Sequence, residues 1–172
     1  MSSKWIFIAL FAAATAQAAP YHLPPHETRC TAGGQTFPVH IAATVAERAQ
    51  GFAEAPPALI ERTAILFVYP PEHARIVNRT FSFGNGSNRP PSDSVDWYFN
   101  MRHMQAPLDI AFLNRDGRVL AVLRMVPGSK LYRPEEPYAA ALEIAAGRAA
   151  TLGIHPGTHL TCGRPLTEEG RH

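Results

Sequence analysis

The sequence predicts a mainly β domain, with α+β at its margin: a compact barrel or sandwich of short strands with one or two short helices. Three observations carry this. The 172 residues include 16 Pro and 12 Gly, which favour turns and short elements over long helices. Short apolar runs rich in β-branched and aromatic residues recur along the chain, each bounded by turn residues. Between two of them, Asn114-Arg115-Asp116-Gly117 is a strong hairpin signal.

In chain order, "QTFPVHIA" (35–42) alternates well enough for a first strand. In "TVAERAQGF", Thr44 can cap a short helix, and Glu47, three residues on, completes a capping box. Pro56-Pro57 is expected to end the stretch after this helix, and "TAILFVY" (63–69) reads as a buried strand. Then come "WYFNMR", "LDIAFL" and "RVLAVLRMV", the last two joined by the hairpin signal. "PGSKLYRPEEP" reads as a loop and "YAAALEI" (138–144) as a strand. "AAGRAATLG" gives a short helix closed by Gly153, and "GTHLTC" a terminal strand.

The first residues carry an address. "MSSKWIFIALFAAATAQAAP" has Lys4 in a short n-region, an apolar run from Trp5 to Ala14, and the small-residue sequence Ala16-Gln17-Ala18. That pattern predicts a secretory signal peptide cleaved after Ala18 and a periplasmic or secreted protein. The apolar run is shorter than the ~20 residues of a membrane span, so no span is expected after cleavage; an uncleaved anchor is the competing reading. The expected organisation is a signal at 1–18, a flexible stretch at 19–34, one β-rich domain at 35–163 with an inserted loop at about 75–96, and a tail at 164–172. Cys30 and Cys162 are the only cysteines and lie near the two ends of the mature domain, so in an oxidising compartment a single disulfide is expected. Two buried free thiols are the alternative.

Several function classes are disfavoured. The formal net charge is +2, with no run of Lys or Arg interleaved with aromatics, so no nucleic-acid partner is expected. Of the 8 His, His155 and His159 are spaced i, i+4, but Pro156 and Gly157 between them exclude a helical ligand pair. No metal and no cofactor are expected. Nucleophile and phosphate-loop motifs are absent as well.

Longer stretches carry a resemblance. "VHIAATVAERAQGF", "AILFVYP", "FNMRHMQAPLDIAFLNRDGRVLAV" and "AALEIAAGRAATLGIHPGTHL" stand in the order and spacing of a known family. Over about 38–161 the chain resembles domain of unknown function 192, typically small exported bacterial proteins. The most specific part is Pro107-Leu108-Asp109-Ile110 with Phe112-Leu113, followed by Asp116-Gly117; Glu47-Arg48 with Gly51 and Leu142-Glu143 with Gly147 support it. The family usually carries Phe-Trp-Met-Lys-Asn-Thr ahead of this run. Here Phe99 and Met101 match and Arg102 keeps the charge, while Asn100, His103 and Met104 replace Trp, Asn and Thr. Thr158 stands where an Asp is usual. The resemblance is that of a divergent member, and it implies a mainly β barrel or sandwich with no established reaction.

Asp109 is the sharpest residue, because it is the one polar position in the run Leu108–Leu113. A lone carboxylate in an apolar layer costs several kcal/mol unless it is paired or accepts hydrogen bonds. Its expected partners are Arg48, Arg102, Arg124 or His103. One reading is structural: Asp109 accepts backbone N–H groups or pairs with one Arg. The other places Asp109 and His103 in one pocket as an acid/base pair or polar clamp. Aromatics around the inserted loop, Trp97 among them, form a further binding surface by their position. The binding candidates are therefore Arg48, Trp97, Met101, Arg102, His103 and Asp109. The leading functional expectation is an exported, non-enzymatic β domain that binds a small molecule or an envelope protein. A hydrolase-like envelope enzyme using His103 and Asp109 is the alternative, and a structural accessory protein the third.

Overall fold

A computed structural model describes residues 20–69, 74–77, 80–83 and 98–163. The expected signal segment, the loop from residue 84, Trp97 and the tail 164–172 lie outside the described residues.

Seven strands form one sheet: β1 (His26–Ala32), β2 (Gln35–Ala42), β3 (Ala64–Val68), β7 (Leu108–Leu113), β8 (Val119–Met125), β10 (Ala140–Ala145) and β11 (Thr161–Cys162). Their order is β11-β1-β2-β3-β10-β7-β8, curled into a half-barrel. Neighbours are antiparallel except β2 and β3, whose parallel pairing requires a crossover. That crossover carries α1 (Val45–Gln50) and α2 (Pro57–Arg62). Two strand pairs stand apart from the sheet's ladder: the hairpin of β4 (Ala74–Val77) with β5 (Thr80–Phe83), and β6 (Phe99–Met101) paired with β9 (Gly128–Tyr132) across the intervening β7 and β8. Helix α3 (Arg148–Thr151) comes after β10. The mainly β expectation holds.

Three local expectations need correction. The stretch 19–34 is not flexible throughout, because His26–Ala32 is a full strand between β2 and β11. Its hairpin turns on Gly33-Gly34, with φ of 56° and 79°, the paired positive values that a tight two-residue turn demands. Gly33 also lies so close to Leu152 and Gly153 that a Cβ would meet the Leu152 carbonyl at 2.5 Å. Pro56-Pro57 opens a helix rather than ending an element, because Pro57 sits at the first helical position, where no N–H is required. Part of the expected loop "PGSKLYRPEEP" is strand β9, which pairs with β6.

The sheet has a core on each face. On one side, Val39, Leu66, Ala111, Leu142 and Ile144 pack with Ala149, Leu152 and Leu160 from the C-terminal segment. On the other, Phe52, Ile60, Phe67, Ile110, Phe112 and Tyr138 pack together, and Tyr21 and Leu23 cover them in part. Burying each such large side chain contributes about 1.5–3 kcal/mol. The second core is aromatic: Phe99 meets Phe67 edge-on at 5.2 Å and Phe112 at 5.8 Å, and Tyr138 lies 4.9 Å from Phe112. The cysteines clip the sheet at its far edge, where Cys30 faces Cys162 in register and the two are joined as a disulfide.

Candidate functional site

The site lies on the aromatic face, between α1 and the segment 98–104. Helix α1 is short and needs its cap. The Thr44 side chain accepts from the Glu47 N–H at 3.2 Å, and the Glu47 carboxylate accepts from the N–H groups of Ala43 and Thr44 at 2.8 Å each. With Glu47 held at the helix start, Arg48 turns inward. Its guanidinium donates to the carbonyls of Ala43 at 2.5 Å and Val68 at 3.2 Å, and lies over the Tyr69 ring at 5.0 Å. The helix ends at Gly51, whose φ of 46° and ψ of −130° suit glycine alone. The turn after it is tied to the opposite wall, where the Glu54 N–H donates to the His103 carbonyl at 2.8 Å.

These elements enclose a cavity of about 490 Å³. Phe67, Tyr69, Tyr98 and Phe99 give it aromatic walls; Arg48, Arg102, His103 and Glu143 give it polar chemistry. Glu143, on β10, is the most unusual of them. It is 5% exposed, and its Oε2 has no hydrogen-bond partner among the described residues. Burial pushes its carboxyl up to about 8, against a smaller opposing pull from the Phe52 N–H. At neutral pH it is therefore an uncharged hydrogen-bond donor. Gly51 makes room for it: a Cβ there would sit 3.3 Å from Oε2 and 3.0 Å from the Phe67 ring. Tyr21 donates to the Gly51 carbonyl at 2.6 Å, and burial followed by the Glu143 charge drives its hydroxyl well above the ordinary tyrosine range. The Tyr69 hydroxyl is driven the same way by burial, Tyr138 and Glu143, and pulled back by Arg48. Tyr69 thus senses Glu143 and Arg48 together.

Asp109 does not join this cavity. Strand alternation puts Ala111 and Leu113 in the first core and Leu108, Ile110 and Phe112 in the second, so Asp109 points to the face opposite the site. There Oδ1 accepts from the Arg124 Nε at 2.5 Å, and Oδ2 accepts from the N–H groups of Gly147 at 2.7 Å and Ala149 at 3.3 Å. Asp109 answers to Arg124, its register partner on β8, and to the start of α3. The pairing of His103 with Asp109 in one pocket is therefore corrected.

Of the other sequence candidates, Arg48, Arg102 and His103 are brought together on the cavity lining. Met101 is fully buried in the aromatic core. Trp97 lies outside the described residues. The sequence reading names Glu143 only within the family resemblance, although a single acid in an apolar run could have found it. Among the described residues no group of three or more His, Cys, Asp or Glu is arranged to hold a metal ion.

Residues 90–162 match the sequence model of a family described as DUF192, Uncharacterized ACR. Over these residues the chain resembles the DUF192 family. The match takes in Phe99 to Met104, Asp109 and Glu143, but not α1. The fold resembles a crystal structure of a protein of unknown function from Novosphingobium aromaticivorans DSM 12444, at 27% identity and TM-score 0.55, covering 87% of this chain and 99% of that one. It also resembles a protein from Sinorhizobium meliloti 1021 described as a "putative transcription regulator", at 21% identity and TM-score 0.58, covering 84% and 98%; that likeness concerns the fold alone. No curated protein matches the sequence.

Proposed function

We propose that this protein is a divergent DUF192 member and a non-enzymatic binding domain of the cell envelope that takes a small molecule into the cavity beside α1. One observation carries the reading: the cavity of about 490 Å³ combines aromatic walls with a few convergent polar groups, the usual make-up of a small-molecule site. Export is part of the proposal, supported by the pattern of residues 1–18 and by the Cys30–Cys162 pairing. Among the described residues no helix is long and apolar enough to cross a membrane.

The test is a small-molecule thermal-shift screen on protein purified from the periplasm, with its N-terminus read by mass. The reading expects an N-terminus at Ala19 and compounds that raise the melting temperature. Ala49→Trp, which places a bulky ring on the lining from an exposed helix position, should abolish those shifts. Shifts that survive Ala49→Trp would overturn the site.

A second reading, an envelope enzyme, has one specific observation behind it. Glu143 is held protonated in the same cavity that His103 lines, a pairing suited to general acid/base work. It replaces the His103–Asp109 pair. Turnover of a model ester that is lost in both Glu143→Gln and His103→Gln would favour it over simple binding.

A further inference from the structure

We propose that the cavity selects a small organic monocarboxylate with an apolar body, its carboxylate seated between the Glu143 carboxyl and the Arg48 guanidinium. This deepens the proposed small-molecule reading and rests on it.

The first support is an unanswered polar atom. Glu143 Oε2 is buried and without a hydrogen-bond partner among the described residues, a state that costs about 1–3 kcal/mol. A ligand that bonds to this carboxyl recovers that cost. The terminal torsion of a glutamate is broad, so the carboxyl can turn toward a bound partner without leaving its rotamer.

The second is the sign of the ligand group. A carboxyl that keeps its proton at neutral pH offers a donor, which calls for an acceptor on the ligand. The elements that line the cavity supply further donors. Helix α1 contributes Arg48, the end of β3 contributes Tyr69, and the segment 98–104 contributes Tyr98, Arg102 and His103. The N-terminal segment adds Tyr21, and the turn after α1 adds the Phe52 N–H. Among the described lining residues, Glu143 is the one acid beside two arginines. A cationic ligand would meet both arginines, whereas a carboxylate is complementary to them and can accept the Glu143 proton in a hydrogen bond.

The third is the shape of the remainder. Phe67 and Phe99 offer ring surface with no donor or acceptor, so the rest of the ligand is apolar. The Glu143 carboxyl, once ionised, would face the ligand's carboxylate as a like charge. Affinity should therefore fall as pH rises through about 8.

The experiment is isothermal titration of the mature protein with phenylpropionate, phenylpropionamide and phenylpropylamine. The proposal expects the carboxylate to bind at least tenfold more tightly than the amide or the amine at pH 7. Its Kd should weaken about tenfold between pH 7 and pH 9, the ratio set by one group titrating near 8 that must be protonated. In Glu143→Gln that ratio should fall to about one, whatever the absolute affinity. Arg48→Met should lose the preference for carboxylate over amide; should that variant not fold, the Glu143→Gln ratio still decides. Equal or tighter binding of the amide or amine would overturn anion selection and leave the cavity reading standing. A pH ratio unchanged in Glu143→Gln would overturn the seat at Glu143. Binding by none of the three overturns the proposal, and the small-molecule reading falls with it only when the thermal-shift screen is also blank.

Discussion

Asp109 and Glu143 lie on neighbouring strands one register step apart and face opposite sides of the sheet. In the β7–β10 ladder Asp109 is opposite Ile144, and Glu143 is opposite Ile110. Both are nearly buried, at 4% and 5% exposure. Their surroundings differ: Asp109 meets a guanidinium and two backbone N–H groups, while Glu143 has the Phe52 N–H and an unpartnered oxygen. One carboxyl is answered by the fold, and the other keeps an oxygen that no described residue answers.

Asp109→Asn should therefore act on stability and not on ligand binding. An Asn offers one carbonyl oxygen where two carboxylate oxygens now accept, so its NH₂ must face either Arg124 or the N–H groups of α3. The cost is about 2–3 kcal/mol, discounted because the Arg124 side chain is 54% exposed. Urea unfolding measures it. A variant as stable as the parent would show that the carboxylate does not hold β7, β8 and α3 together.

Cutting the Cys30–Cys162 link should destabilise the domain without altering its sheet order. The bond closes a loop with a sequence separation of 132, worth about 5 kcal/mol in the chain-entropy account. Denaturation with and without reductant measures the loss. Two alkylatable thiols in protein purified without reductant would refute the bond.

How much of the fold and the site is legible in the sequence depends on whether an element's surroundings are local. Asp109 stands out because Leu108–Leu113 is otherwise apolar, and the capping box at Thr44 and Glu47 involves neighbours only. Strand β1 escapes a reading by pattern although Gly33-Gly34 is a two-residue hairpin signal, because Thr28, buried on its inward face, breaks the apolar alternation. Glu143 carries the same signal as Asp109, a single acid in the buried run Ala140–Ile144. Periodicity cannot say whether that face meets water or a lid, and here the lid comes from the distant residues 51–54 and 98–104. Tertiary cover of this kind leaves no mark in a strand's own pattern.

Gly51→Ala should both destabilise the protein and perturb the cavity. The backbone there has a positive φ, and the added methyl would press on Phe67 at 3.0 Å and Glu143 at 3.3 Å. Strain and overpacking together cost about 1–3 kcal/mol. Thermal unfolding with ligand titration checks both halves. An alanine variant with unchanged melting and binding would show that the turn after α1 does not form the cavity base.

Glu143 should also shape the stability of the protein with no ligand present. Burial raises its folded pKa to about 8 from the ordinary value of 4.5, so between these values the folded state keeps a proton that the unfolded state has released. Stability falls with pH wherever the folded state binds more protons. The neutral carboxyl's contribution is thus fully present below about 4.5 and is lost as pH rises through about 8, where both states are ionised and the slope vanishes. Glu143→Gln keeps the shape and removes the titration, so its stability should decline less steeply across that window and exceed the parent's at its alkaline end. Urea unfolding of both proteins at intervals from pH 5 to pH 9 measures the difference. Parallel curves for parent and variant would mean that Glu143 ionises in the folded protein as it does in water, and that a partner answers its second oxygen at the cavity base.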